Sequence, residues 1–218
     1  QPRSRGLGDV YKRQHFRSNL KNILVLSVIN TALPFSLFAY ASLESSSNML
    51  SILNGTTAIM AVVISTIWLK IRLNFFQIMG VFIGLFGIVV LANPDNVYIS
   101  MKATIFCLSA AFCYALSANY IQKFAYKTNT IVLIGWSLVI ASLLLLPITF
   151  FNLPSQFPSN NVIFSILWLG VISTGVAFLG YVRLIEKVGA VKTATVAYFI
   201  PVFGCLLYTS DAADEGLG

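Results

Sequence analysis

Ser51 to Leu91 reads SILNGTTAIMAVVISTIWLKIRLNFFQIMGVFIGLFGIVVL. Two long apolar segments flank a short basic turn, Lys70-Ile71-Arg72. The first segment holds a polar patch, Asn54-Gly55-Thr56-Thr57, inside hydrocarbon-like sequence. The second holds Gly80, Gly84 and Gly87. A chain folding in water has little use for such a pair. A helix that crosses a bilayer needs about 20 mostly apolar residues, and each segment approaches that length. A polar patch in lipid is expensive unless it is hydrogen-bonded or meets a polar solute.

The composition places the whole chain in the membrane class. It is 57% hydrophobic and only 10% charged, with a mean hydropathy of +0.83. Soluble domains carry about 25% charged residues. A pI near 9.5 could suggest nucleic acid. The basic residues, however, stand singly or in pairs in turns between apolar runs, which excludes a nucleic-acid surface.

The two ends read as foreign. Asp9 to Gln14 (DVYKRQ) can be written GAT GTG TAT AAG AGA CAG. Read from its second base, the reverse complement of that word gives Cys-Leu-Leu-Tyr-Thr-Ser, which is Cys205 to Ser210. The shared word resembles a transposon end used in preparing sequencing libraries. Residues 1–14 and 205–218 are therefore set aside from fold reasoning, and the rest is expected to be a gene fragment. Within 15–204 the acids are Glu44, Asp95 and Glu186, and the cysteines are Cys107 and Cys113. Both cysteines sit in one apolar segment, so neither a disulfide framework nor a metal site is expected.

Seven apolar segments read as spanning helices, at about 23–43, 49–69, 75–92, 103–122, 130–151, 162–184 and 190–204. The expected class is an all-α polytopic membrane bundle, since lipid cannot satisfy an open sheet edge. Pro34 and Pro147 fall inside helices, where each frees a carbonyl that must face protein or water. The stretches 93–102 and 152–161, rich in Pro, Ser or Asn, read as surface loops.

Charge sets the topology. Arg17, Lys21, Lys70, Arg72, Lys123, Lys127, Arg183, Lys187 and Lys192 mark alternate boundaries, and the opposite side carries only Lys102. The positive-inside rule puts the first set in the cytoplasm of a multi-pass inner (plasma) membrane protein. Segments one and two also resemble segments six and seven in length and tight connection. The pairs lie five segments apart, so they run in opposite directions, as an inverted repeat requires.

Several polar stripes could line a solute path. Ser47, Ser51, Asn54 and Thr57 fall near one face of segment two. Segment one offers Ser27, Asn30 and Thr31. Segment four offers Ser109, Cys113, Ser117 and Tyr120. Segments six and seven offer Ser173, Thr174, Tyr181, Thr195 and Tyr198. The competing reading is interhelical hydrogen bonding, which membrane bundles use as glue. Gly80, Gly84 and Gly87 suggest a smooth face for close packing. Trp68 and Trp168 suit interface anchoring. Arg183 either contacts an anionic solute or snorkels to the interface and pairs with Glu186. No acid or histidine lies mid-membrane, so the sequence shows no proton-coupling residue. It also shows none of the bases, metal clusters or activated nucleophiles of an enzyme.

The stretch quoted above resembles the EamA family of the drug/metabolite transporter superfamily. The match lies in an Asn-x-Thr-Thr helix, a long apolar run, a basic turn and Gly-x-x-x-Gly-x-x-Gly. LGVISTGVAFLGYVRLIEKVGAVKTATVAYFIPVFG, from Leu169 to Gly204, resembles that family's helix pair ending in Pro-Val-Phe, and LSAAFCYALSANYIQKF extends the likeness. The resemblance implies ten helices in two inverted five-helix repeats. Residues 15–94 would hold helices three to five, and 95–204 helices six to nine. It implies export or exchange of a small, amino-acid-like metabolite by alternating access, without cofactor or catalysis. A drug or nucleotide-sugar carrier, or a scaffold without a solute path, is the alternative. The residues expected to line the path are Asn30, Asn54, Thr57, Tyr114, Ser117, Thr174, Tyr181 and Tyr198, with Arg183 as an anion contact; Tyr114 rests on the resemblance alone. The expected partners are the small-molecule substrate and the bilayer, with no nucleic acid and with room for a homodimer. Two positions depart from the family pattern. Ala58 stands where Pro often follows Thr-Thr, which puts a hinge there in doubt, and Ile71 stands where the turn often has an acid.

Overall fold

The structure, a computed structural model, describes residues 19–91, 100–124, 130–153 and 157–203. The end segments 1–14 and 205–218, with Arg17, Asp95 and Lys127, lie outside the described residues. Seven helices follow in order: α1 (Asn19–Ala41), α2 (Ser47–Trp68), α3 (Phe75–Leu91), α4 (Met101–Phe124), α5 (Thr130–Phe151), α6 (Asn160–Val188) and α7 (Ala190–Phe203). No strand occurs among the described residues. The chain is a polytopic membrane helix bundle.

Five helices, α1, α2, α4, α5 and α6, are long and apolar enough to cross a bilayer, while α3 and α7 are shorter apolar helices. The 17 residues of α3 rise about 26 Å at 1.5 Å each, a little under the ~30 Å hydrocarbon core. Large apolar side chains stand outward, among them Phe82, Phe86 and Phe164. Lipid is the solvent that tolerates such a surface.

The chain divides into two compact units. The first joins Gln1–Ala32 to Phe124–Arg183. In it, the α1 segment Ser27–Ala32 packs against α5. Ile23, Leu26, Leu133, Ile134 and Ala141 are buried, together with Ser27, Asn30, Thr31 and Ser137. The second unit joins Leu33–Lys123 to Leu184–Gly218. One of its clusters gathers Ala41, Met49, Leu53, Ala103 and Cys107 from α1, α2 and α4. Another is almost pure alanine: Ala58 and Ala61 of α2, Ala115 of α4, and Ala194 and Ala197 of α7. Small side chains let three backbones approach closely, which is how membrane helices associate when apolar burial gives no advantage over lipid.

Polar ties mark both ends of this unit. At one end the Glu44 carboxylate, in the turn before α2, accepts from the Ser100 hydroxyl and pairs with Lys102 Nζ at 3.5 Å. The Ser100 bond is the main cause holding the Glu44 pKa below its ordinary 4.5, with Lys102 adding to it. At the other end Lys123 Nζ sits 4.7 Å from the centre of the Trp68 ring, which tilts against Tyr120 at 6.3 Å. There too the Gln122 side-chain oxygen accepts from Ala190 N–H at 2.8 Å, capping α7 where Gly189 has no side chain to do so. The C-terminal ends of α2 and α4 therefore meet.

Candidate solute site

Three helices leave α geometry inside their apolar runs, and a fourth, α2, is interrupted at one glycine that itself keeps α-helical dihedrals. α1 is π-helical over Ser27–Ala32, immediately before Pro34. Pro34 cannot donate a backbone bond, and the wider π turns are the backbone's adjustment to that loss. α2 breaks after Asn54. There Gly55 ends Ser47–Asn54 and starts Thr56–Trp68, its N–H shared among the Ser51, Ile52 and Leu53 carbonyls. α6 is π-helical over Leu169–Val176, and Thr174 Oγ1 donates to the Leu169 carbonyl at 3.0 Å. α7 narrows to a 3-10 helix over Thr195–Tyr198. Ala58 lies within the second part of α2, three residues after this irregularity.

Most of the sequence-named residues fall in or beside these irregular segments. In the first unit Asn30 is 1% exposed in the π segment of α1. The neighbouring Thr31 hydroxyl is buried without a hydrogen-bond partner among the described residues. Thr174 and Tyr181 are half-buried on α6, while Arg183 is exposed and makes no ion pair among the described residues. In the second unit Thr57 donates to Asn54 Oδ1 at 3.1 Å, linking the two halves of broken α2. Tyr114 stacks on Phe38 with centroids 6.1 Å apart, and the Ser117 hydroxyl donates to the Tyr114 carbonyl at 3.0 Å. The structure thus couples Asn54 with Thr57 and Tyr114 with Ser117. It places Asn30, Thr174, Tyr181 and Arg183 in the other unit.

Tyr198 has a different role. Its ring lies directly on Gly84, and a Cβ at that glycine would stand 2.6 Å from ring carbons. Gly80 and Gly87 meet nothing within 4 Å among the described residues. Of the three glycines of the expected face, Gly84 takes a close neighbour there, and that neighbour is a tyrosine ring rather than a helix backbone. The Tyr198 hydroxyl is buried without a hydrogen-bond partner among the described residues. α2, α3 and α7 border a cleft of about 420 Å³ beside the Tyr198 side chain, lined by Ala58, Val62, Phe76, Val81 and Val191 and by the polar residues Gln77, Lys192 and Thr195.

Sequence reasoning passes over Asn119, between Ser117 and Tyr120. Its side chain is fully buried. Ser65 Oγ donates to its Oδ1, and its Nδ2 donates to the Ala61 carbonyl at 3.1 Å and to Ala115 at 2.8 Å. The residue ties α4 to α2 across the alanine cluster. An amide within an apolar helix was the available signal, since such a group is expensive to leave unpaired.

The comparisons agree with this architecture. The profile of the family described as EamA-like transporter family matches residues 7–93 and again 101–209. An uncharacterized transporter of Archaeoglobus fulgidus is 24% identical over 190 residues, covering 86% of this chain and 67% of its own. The uncharacterized transporter YoaV of Bacillus subtilis is 26% identical over 192 residues, covering 85% of this chain and 65% of its own. The chain thus spans about two thirds of the length of these two relatives. A solved crystal structure of a protein superposes with a TM-score of 0.69 at 17% identity, covering 92% of this chain and 75% of that one. That likeness shows the fold alone.

Proposed function

This chain belongs to the EamA-like transporter family, and from that premise we propose that it exports or exchanges a small polar or amphipathic metabolite by alternating access, in a cell's inner or plasma membrane with its basic turns cytoplasmic. The observation that carries the reading is the set of interrupted helices. Discontinuous helices in matching places of two repeats mark the solute site of many carriers, because backbone freed from helical bonding must face protein or a polar cavity. Here the interruptions fall in α1 and α2 and in α6 and α7, the two pairs that an inverted repeat relates. Asn30, Asn54, Thr174 and Tyr198 sit in those segments. Thr57 follows within one turn. A scaffold has no need to interrupt its helices, so the same observation speaks against that alternative.

Reconstituted into vesicles, the protein is expected to release labelled amino-acid-like metabolites faster than empty vesicles. A broad panel with no flux above that background would sink the reading. Asn54→Leu is expected to abolish flux without lowering expression, since the Thr57–Asn54 link bridges the break in α2. Unchanged flux would make Asn54 a packing residue only.

A further inference from the structure

We propose that Tyr198 is a two-position gate, an inference that rests on the transport reading and gives this residue a moving part in it. In the position seen here the ring lies on Gly84 and joins α7 to α3. In the second it swings into the cleft between α2, α3 and α7 and lets α3 go. The first position is tight. A Cβ at Gly84 would stand 2.6 Å from two ring carbons and 2.8 Å from the hydroxyl oxygen. The ring also packs on the alanine cluster of α2, α4 and α7. Its hydroxyl is buried there without a hydrogen-bond partner among the described residues. A buried polar group left unpaired is a standing cost, and phenylalanine would fill the same seat without it. A second seat in which the hydroxyl is paired accounts for its presence.

The cleft supplies that seat. Tyr198 lines it, and so does Gly80, one turn of α3 before Gly84 and on the same face. Its volume of about 420 Å³ takes a phenol ring, with Val62, Phe76 and Val81 as apolar walls. Thr195 is the hydroxyl's partner there. It lies three residues before Tyr198 in the same 3-10 segment, where side chains at that spacing eclipse. Its own hydroxyl donates to the Lys192 carbonyl at 2.7 Å, so its oxygen still accepts. An aromatic side chain on a helix has two open χ1 wells, at about 180° and about −60°. The swing therefore takes one rotamer change and no unwinding of α7. Gly84 suits the gate because the ring leaves and returns across a surface without a Cβ.

The test is fluorine NMR on the whole protein, labelled with 3-fluorotyrosine, in nanodiscs of phosphatidylcholine. The resonance lost in Tyr198→Phe belongs to Tyr198, and it is expected to report two exchanging positions. Gly84→Ala blocks the seat seen here and is expected to shift their ratio about tenfold toward the second. Val81→Phe, whose larger side chain leans toward the N-terminal end of α3, fills the cleft and is expected to shift the ratio about threefold the other way. Gly87→Ala adds a Cβ on the same helix that meets nothing within 4 Å among the described residues, and is expected to leave the ratio unchanged. A single Tyr198 position without exchange would overturn the proposal. So would a ratio that Val81→Phe leaves unchanged, which decides the matter even where Gly84→Ala does not fold. Both variants are expected to slow release of labelled metabolites from vesicles, and a shifted ratio with release at the unaltered rate would also overturn the gate. Two ring positions without release of any metabolite would end the transport reading and leave the moving ring standing. Release with Tyr198 fixed in one position would do the reverse.

Discussion

Replacing Asn119 with leucine tests what holds α4 to α2. The asparagine makes two hydrogen bonds between those helices, from Ser65 Oγ and to the Ala61 carbonyl. Interhelical hydrogen bonds within membranes average about 0.6 kcal/mol and reach about 1.7. Two of them give roughly 1.2 kcal/mol, with an upper bound near 3. Leucine has similar bulk, so little cavity is added. Ser65 can turn its hydroxyl to the Ala61 carbonyl four residues back, so it does not stay unpaired. The expected loss for Asn119→Leu is therefore about 1–2 kcal/mol. Steric-trapping unfolding in bicelles measures it, and a cycle with Ser65→Ala isolates the pair. The coupling is expected at about 0.5–1.5 kcal/mol. A coupling under about 0.3 kcal/mol, the level at which distant sites add, would refute the contact. Loss of flux with unchanged stability would refute the glue assignment itself and move Asn119 into the solute path.

Gly189 sits at φ 85° and ψ 164°, a region that only glycine occupies comfortably, so Gly189→Ala is expected to destabilise by about 1–3 kcal/mol in the same unfolding assay. Lys70 takes φ 55° just past the end of α2, so Lys70→Gly is expected to stabilise by about 1 kcal/mol; a loss would show that the lysine charge outweighs the strain. Glu44 has a lowered pKa, so its ties to Ser100 and Lys102 hold above the ordinary value of 4.5 and weaken as pH falls through the lower folded value. Cysteine cross-linking between positions 43 and 101 should change over that acid range, and Glu44→Gln should remove the dependence.

The quoted stretch was legible because both halves write long apolar runs and the turn between them concentrates charge. Helix limits followed from the same contrast, to within a few residues at most ends. Interruptions were harder to read. Pro34 announced one in α1, but the π segment of α6 carries no proline, and Gly55 looked like part of a polar patch rather than a break. The glycines of α3 were equally ambiguous. Close packing depends on what stands opposite, and Tyr198 lies more than a hundred residues later. Asn119 escaped notice for a related reason: whether an amide is glue or solute contact is decided by its partners, here Ser65 and Ala61, far away in sequence. The cleft drew on three helices at once, and of its residues only Thr195 and Tyr198 had been named as polar candidates for a solute path.

None of the most apolar window of α6 is buried, although its mean hydropathy is 2.3. Neighbouring side chains therefore contribute little to keeping it in place; the oil around it does most of that work. Each central Leu, Ile, Phe or Val favours insertion by about 0.3–0.6 kcal/mol, and one Lys or Arg opposes it by about 2.5–3.5. Apolar exchanges within that window should pass almost unnoticed, whereas a single central charge could offset five or more of its apolar residues. A variant of that kind would be lost at the insertion machinery, before any tertiary contact existed to be broken.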